Sequence, residues 1–371
     1  MIVFVYQNFI EILMKTYKSF INGQFVDNKS SKSFDVTNPA TGEVIYKLQE
    51  ADSYVIDLAI KSSQAAFKLW AALSQIERTR ILQKVANLLR EKNDELAKSE
   101  VLDTGKPLQE AIEVDIQTGA DTIEYFANLA QSITGTQQQV GDDFFYTRRE
   151  PLGITLGIGA WNYPLQIACW KAAPALASGN VMIFKPSEET PLGAIKLAEV
   201  FIEAGLPAGV FNVVQGAAEV GKALLNAPEI KKVSFTGEVG TGQKVMSAAA
   251  ASLKEVTMEL GGKSPLIVFD DANVDEAVTA AMLGNFYTQG EICTNCTRVF
   301  LHEDIYDQFI EKLVKRTKQN IKAGDPMDMN TNFGALISEK HMNLVLRYIE
   351  TGNKEGAKLL TGGSRISSLK G

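Results

Sequence analysis

The sequence predicts an α/β fold built on a doubly wound parallel sheet, and three observations predict it. From residue 152 onward, short apolar runs alternate with helical patterns. Each run ends in a glycine-rich or polar turn at its carboxyl end. The chain has 371 residues, 45% hydrophobic and 22% charged, enough for two or three ordinary globular cores. Strand-turn-helix alternation implies parallel strands with helices on both faces, and ligands in such sheets sit beyond the carboxyl ends of the strands.

The elements follow in order. Residues 20–50 read as short strands and turns broken by Asn22-Gly23 and Asn38-Pro39. A helical pattern runs from Asp52 to Lys98, with Ile81, Val85, Leu88, Leu89 and Leu96 at near-helical spacing. Asp103-Thr104-Gly105-Lys106-Pro107 stops it, and a second helix runs to about Ser132. The polar stretch 134–147 is a loop or an exposed hairpin. Strands follow at Ile154–Gly159, Val181–Phe184, Val210–Val214, Val233–Phe235, Val256–Leu260 and Leu266–Phe269. Helices are expected between them, the one after Thr190-Pro191 closing at Gly205.

Composition excludes several function classes. Lys plus Arg is 37 against 44 Asp plus Glu, a formal net charge of -7 without basic runs. That is a poor footing for nucleic acid or an anionic membrane. With only His302 and His341, an imidazole-built zinc site is nearly excluded. Three cysteines favour a reducing cytoplasm over a disulfide framework. No apolar run reaches 18 residues. Residues 1–13 lack the basic start and cleavage site of a signal peptide and read as a start-site artefact or loose extension.

The chemistry-bearing segments lie at the strand ends. Cys293 follows Gly290-Glu291-Ile292 and precedes polar residues, a context that suits an accessible thiol. With Cys296 it also spells C-x-x-C, so a redox pair or half a zinc site stands beside a nucleophile. Cys169, flanked by Ala168 and Trp170, reads as a core cysteine. Glu259, at the end of an apolar strand, is either a general base with a raised pKa or a solvent-facing carboxylate. Asn162, in Trp161-Asn162-Tyr163-Pro164, is either an oxyanion donor or a turn residue. Lys185 and Glu188 suit the hydroxyls of a ribose, Glu188 disfavouring a 2′-phosphate, or form a surface ion pair. Gly157-Ile158-Gly159 with Asn162 falls short of the dinucleotide fingerprint. Gly237–Gly242 imitates a phosphate loop, but Gln243 stands where Lys is required.

As a set, Trp161-Asn162-Tyr163-Pro164, Lys185-Pro186-Ser187-Glu188, Phe235-Thr236-Gly237, Glu259-Leu260-Gly261-Gly262-Lys263 and Gly290-Glu291-Ile292-Cys293 resemble the aldehyde dehydrogenase superfamily. The resemblance runs from about residue 16 to the end. Tyr146–Gly153, Ser252–Leu260 and Cys293-Thr294-Asn295 are similar to the bacterial betaine aldehyde dehydrogenase subgroup. The resemblance implies a Rossmann-like coenzyme domain over residues 14–262, with an oligomerisation hairpin at 134–150, and a catalytic domain over 263–371. It implies oxidation of betaine aldehyde to glycine betaine with NAD, NADP being a second choice; the alternatives are another aminoaldehyde or aliphatic aldehyde, or an inactive truncated product. The expected setting is a cytoplasmic homo-oligomer acting on a small aldehyde.

Roles carry over position by position. Cys293 matches the nucleophile, Glu259 the base, Asn162 the oxyanion donor and Lys171 a charge-relay lysine. Coenzyme positions are Gly159, Ala160, Trp161, Lys185, Pro186, Ser187, Glu188, Gly237, Glu238, Val239, Gly240 and Gly261. Tyr163 and Trp170 would face a quaternary ammonium through cation–π attraction or pack as ordinary aromatics. Val36, Thr37, Asp103, Glu189 and Leu253 match potassium positions. Glu291 departs from the usual glutamine, and Cys296 from the glycine of the subgroup. The family's later Glu-x-Phe-Gly-Pro segment, whose Glu holds the nicotinamide ribose, has no match before Gly371. The resemblance therefore implies a catalytic domain truncated at its carboxyl end, with poor turnover and poor solubility as the expectation.

Overall fold

The structure is a computed structural model and describes residues 16–371. The expectation for residues 1–13 lies outside the described residues. The central sheet holds seven strands: β2 (Ser19–Ile21), β3 (Gln24–Val26), β8 (Ile154–Ile158), β9 (Val181–Lys185), β10 (Phe211–Val213), β11 (Ile230–Gly237) and β12 (Glu255–Leu260). Their order is β12-β11-β8-β9-β10-β2-β3. The five from β12 to β10 are parallel, as expected. The sequence reading did not anticipate that β2 and β3 add antiparallel strands to this sheet beside β10. They come from the early run of short strands, whose other members, β1 (Thr16–Tyr17), β4 (Ser33–Thr37) and β5 (Val44–Gln49), form a separate three-stranded sheet, and they cover an edge that would otherwise present unpaired backbone groups.

Strands buried on both faces read as continuous apolar runs, and every residue of β8 and β9 is buried. Gly157 of β8 has a steric reason: a Cβ there would lie 2.7 Å from the ring of Phe184 on β9. Gly159 meets the same ring, so the chain leaves β8 pressed against Phe184 before turning into Trp161-Asn162.

The helical stretch beginning at Asp52 is not continuous. It divides into α1 (Ser53–Ala72), α2 (Gln75–Glu91) and α3 (Asn93–Thr104). Ser74 and Glu77 form a reciprocal capping box that starts α2, a local signal that overrides the periodicity. Trp70, wholly buried, donates from its indole nitrogen to the Leu176 carbonyl at 3.0 Å. It thereby ties α1 to α5 (Pro164–Ala177), the helix after β8. The segment after Gly105 makes one helical turn, Leu108–Glu110, then a π turn, Ala111–Asp115, before α4 (Ile116–Leu129). Such π turns are often found at functional sites.

The stretch read as a loop or hairpin is a hairpin, β6 (Gln137–Val140) and β7 (Asp143–Tyr146), with every residue exposed. Beyond β12, β13 (Pro265–Val268) and β14 (Arg298–Leu301) form a parallel pair. They pack with α9 (Val274–Phe286) and α10 (Tyr306–Asn320) around Val268, Val278, Ala281, Ile305 and Phe309. This small cluster is separate from the large core over the central sheet. The amphipathic α11 (Glu339–Lys354) follows.

Candidate active site

Three turns meet where the site was expected. The first leaves β8 and carries Asn162. The second leaves β12, where a Cβ on Gly262 would lie 2.9 Å from the Cys293 carbonyl oxygen. The third is the loop from Tyr287 to Cys296, between α9 and β14. Asn162 donates from Nδ2 to the Glu291 carbonyl at 2.8 Å. An amide nitrogen carries two N–H donors, so one remains to be directed at a ligand. Cys293 is exposed, Cys296 is half-buried, and all three thiols are free. Cys169 is fully buried in α5, and burial drives its thiol pKa far up, which fits the core role.

The loop before Cys293 has an unusual backbone. Thr288, Gln289 and Gly290 all have positive φ, at 48°, 55° and 81°. For a β-branched residue such as threonine that region costs energy, on the order of 1–3 kcal/mol. The surroundings hold it there. Thr288 donates from its backbone N–H to Glu110 Oε2 at 3.0 Å, and its hydroxyl lies 3.1 Å from the same oxygen. Gln289 accepts from the Gly334 N–H through Oε1 at 3.1 Å.

Glu291, the departure from glutamine, is buried. It accepts from the Ile337 N–H at 3.1 Å and lies 3.5 Å from His341 Nε2. Burial pushes its carboxyl up to about 8, against the pull of the Ile337 N–H and the Lys106 charge. His341 is half-buried on α11, and its ring lies 5.2 Å from that of Trp161. A carboxyl raised in the folded state binds a proton that the unfolded chain has released between about 4.5 and about 8. Its contribution to stability therefore falls as pH rises through that window. Glu291→Gln keeps an acceptor for Ile337 and removes the titration. The melting temperature of the variant should fall less between pH 6 and pH 9 than that of the parent, a difference worth about 1–2 kcal/mol. Superimposable pH profiles of thermal melts would refute the assignment.

Of the two readings of Glu259, the structure shows the exposed one: β12 is the edge strand of the sheet, and Glu259 is solvent-exposed. It lines a groove of about 1180 Å³ with Lys171, Ser234, Thr236 and Trp170. Cys293 is not among the residues lining this groove. Lys171 is buried and donates to Ser234 Oγ at 3.0 Å. Burial lowers its pKa to about 7, opposed by the Glu259 charge, so this lysine changes protonation state near neutrality.

Of the aromatic pair, Trp170 is 42% exposed in the groove and Tyr163 is buried. The Tyr163 hydroxyl lies 2.7 Å from Thr288 Oγ1, and one face of its ring carries the Lys106 ammonium 3.8 Å from the centroid. A cation already rests on that ring.

The coenzyme positions cluster at neighbouring strand ends. The Gly159 N–H bonds to the Lys185 carbonyl at 2.9 Å, which brings Gly159, Ala160 and Trp161 beside Lys185. Lys185 is buried and donates to the carbonyls of Pro186 and Gly216, at 2.6 and 2.5 Å. It also lies 3.5 Å from Glu188. Its expected surface ion pair is thus half buried: the lysine fixes the turn, and the Glu188 side chain is 42% exposed. Ser187 accepts from the Glu189 N–H. The helix α8 (Val239–Ala250) starts after Gly237, with Glu238 capping Thr241. Gly240 lies within contact of the Glu238 carboxylate, and a Cβ on Gly261 would meet open space. An exposed carboxylate at one strand end and a glycine-rich helix start at another fit the hydroxyls and diphosphate of a dinucleotide.

The Asp103 carboxylate already accepts from Tyr46 and from the Leu192 N–H, while Leu253 is 93% exposed in the turn between α8 and β12. Among the described residues, Asp270, His302 and Asp304 form the one grouping of acidic, histidine or cysteine ligands at metal spacing. All three are exposed, and neither Cys293 nor Cys296 belongs to it. No helix of the described residues is long and apolar enough to cross a membrane.

Sequence reasoning missed Glu110, Thr288, Ser234 and His341. Ser234 alone carried a signal, as an inward polar residue on a strand that ends in a site turn.

The geometry agrees with relationships to known proteins. The aldehyde dehydrogenase family profile matches residues 25–371. Betaine aldehyde dehydrogenases from two Vibrio vulnificus strains are each 58% identical over 355 residues, which is 95% of this chain and 73% of theirs. An aldehyde dehydrogenase from Bacillus cereus, solved as an NAD+ complex, superposes with a TM-score of 0.93 at 40% identity, over 98% of this chain and 74% of that one. The aldehyde dehydrogenase KauB from Pseudomonas aeruginosa gives 0.93 at 36% identity, over 98% and 74%. This chain belongs to the aldehyde dehydrogenase family.

Proposed function

We propose that the protein oxidises betaine aldehyde with NAD through a thioester on Cys293. The observation that carries this reading is the seating of the Cys293 loop: Asn162 reaches it at Glu291, and the Cys293 carbonyl comes close enough to Gly262 that a Cβ there would lie 2.9 Å from it. Identity of 58% to betaine aldehyde dehydrogenases supports the substrate. The NAD+ complex of the Bacillus cereus relative supports the coenzyme.

In this mechanism the Cys293 thiolate attacks the aldehyde carbon. The free N–H of Asn162 Nδ2 and the Cys293 backbone N–H receive the developing oxyanion. NAD, when bound, supplies the hydride acceptor. Glu188 would hold a ribose hydroxyl of the coenzyme, and the start of α8 its diphosphate. Glu259 takes a proton from the water that releases the acid, with Lys171 beside it adjusting charge. Trp170 offers its exposed face to the quaternary ammonium, where attraction is worth about 0.5–2 kcal/mol. The expected setting is a cytoplasmic homo-oligomer, its interface including the exposed β6–β7 hairpin.

Initial rates of NADH formation with betaine aldehyde, aminobutyraldehyde and propionaldehyde test the substrate. Betaine aldehyde should give the highest kcat/KM, and a clear preference for propionaldehyde would overturn the assignment.

Coenzyme choice gives a second expected result. The exposed Glu188 carboxylate repels a 2′-phosphate, so kcat/KM should favour NAD over NADP. Glu188→Gln should narrow the preference by about 10-fold, the size of a repulsion near 1.4 kcal/mol. Equal use of both coenzymes by the unaltered chain would contradict this role.

A further inference from the structure

Four acids, Glu100, Asp103, Glu110 and Asp115, are buried beneath the Tyr163 turn around one buried lysine, Lys106. Lys106 pairs with Asp115. Asp103 is bonded to Tyr46 and the Leu192 N–H, and Glu100 to the Leu165 N–H. Asp103 thereby reaches the strand Val44–Gln49 through Tyr46, whereas Glu110 reaches the Cys293 loop, across 178 residues of sequence, at Thr288. Glu110 sits on the helical turn just before the π turn Ala111–Asp115.

We propose that Glu110 is a positioning residue for the nucleophile: it holds the Cys293 loop in its left-handed backbone and couples it to the oxyanion donor. The hydrogen-bond directions are determined. Burial raises the Glu110 carboxyl to about 7, and in its ionised form it only accepts, so both the N–H and the hydroxyl of Thr288 donate to Glu110 Oε2. The hydroxyl proton is then spent, so Tyr163 O–H donates to Thr288 Oγ1 at 2.7 Å. From Thr288 the chain of bonds continues. Its carbonyl accepts from the Glu291 N–H at 2.9 Å, and the Glu291 carbonyl accepts from Asn162 Nδ2 at 2.8 Å. Glu110, the strained Thr288, the turn before Cys293 and Asn162 are therefore one connected network. Tyr163 closes it, because it adjoins Asn162 in sequence. Removing the carboxylate leaves a buried N–H and hydroxyl unpaired and frees Thr288 from its unfavourable φ.

The inference rests on Cys293 as the nucleophile, but its test does not need turnover. Hydrogen–deuterium exchange should be followed by mass spectrometry on the parent chain, Glu110→Ala, Glu110→Gln and Thr288→Val. In Glu110→Ala, peptides covering 286–296 should exchange at least about 10-fold faster, with peptides of α2 and α4 unchanged. Iodoacetamide labelling of Cys293 should change rate in step with that exchange. Glu110→Gln keeps an acceptor oxygen and should restore parent behaviour in both readouts. Thr288→Val loses the hydroxyl but keeps the N–H, and should lie between. If Glu110→Ala does not fold, the comparison of Thr288→Val and Glu110→Gln with the parent decides. Unchanged loop exchange in Glu110→Ala and Thr288→Val, or loosening spread evenly through α2 and α4, would overturn the positioning role. Full turnover in Cys293→Ala would instead overturn the nucleophile.

Discussion

Cys293→Ala is expected to lower aldehyde-dependent NADH formation by ~10⁴-fold or more, since removing a covalent nucleophile leaves only binding and oxyanion stabilisation. The other cysteines are the controls. Cys169 is buried in α5 against Gly119, so Cys169→Ala should cost stability and leave turnover largely intact. Cys296 packs against Gly284 and donates its backbone N–H to the Gly284 carbonyl, a contact that Cys296→Ser preserves. Cys296→Ser should therefore keep most of the activity. Steady-state rates of the three variants under one set of conditions check the pattern. Parent-like turnover in Cys293→Ala would remove the basis of the proposed chemistry.

Glu259→Gln is expected to reduce steady-state turnover by ~10²–10⁴-fold, the usual contribution of a positioned general base. The carboxylate acts on water after the thioester forms, so coenzyme affinity should stay near the parent value. A single burst of NADH followed by near-arrest is the kinetic signature. Lys171 provides an internal check. It lies near Glu259 with a pKa lowered to about 7, and loss of the Glu259 charge should lower that pKa further. Unchanged turnover across pH 6–9 in Glu259→Gln would exclude the base role.

The legible part of the fold was the part written in local pattern. β8 and β9 are apolar runs because both faces are covered, and α5 and α6 (Leu192–Glu203) carry their proline and glycine punctuation. The break at Ser74 was written too, as Ser-x-x-Glu, but lay inside a longer periodic pattern. The antiparallel addition of β2 and β3 was not legible, because pairing partners nearly 200 residues apart leave no local trace. For the site, Asn162 and Glu259 stood out because unusual residue types sit at strand ends, and Cys293 because a glycine shortly before it and polar residues after it suit an accessible thiol. Glu110 did not: nothing in Leu108-Gln109-Glu110 says that its carboxylate will be buried beneath a loop 178 residues away. The sequence left Glu259 open between a buried and a solvent-facing carboxylate, since it does not say which parallel strand will lie at the edge.

The central claim is a thioester on Cys293, and the Glu259→Gln variant is built to accumulate it. This variant should be incubated with betaine aldehyde and NAD, quenched in acid and mapped by peptide mass spectrometry. The account predicts one acyl adduct, on the peptide containing Cys293, formed only when both aldehyde and NAD are present and absent from the Cys293→Ala, Glu259→Gln double variant. An adduct on Cys296 or Cys169 instead, or none on any cysteine while NADH still forms, would contradict it.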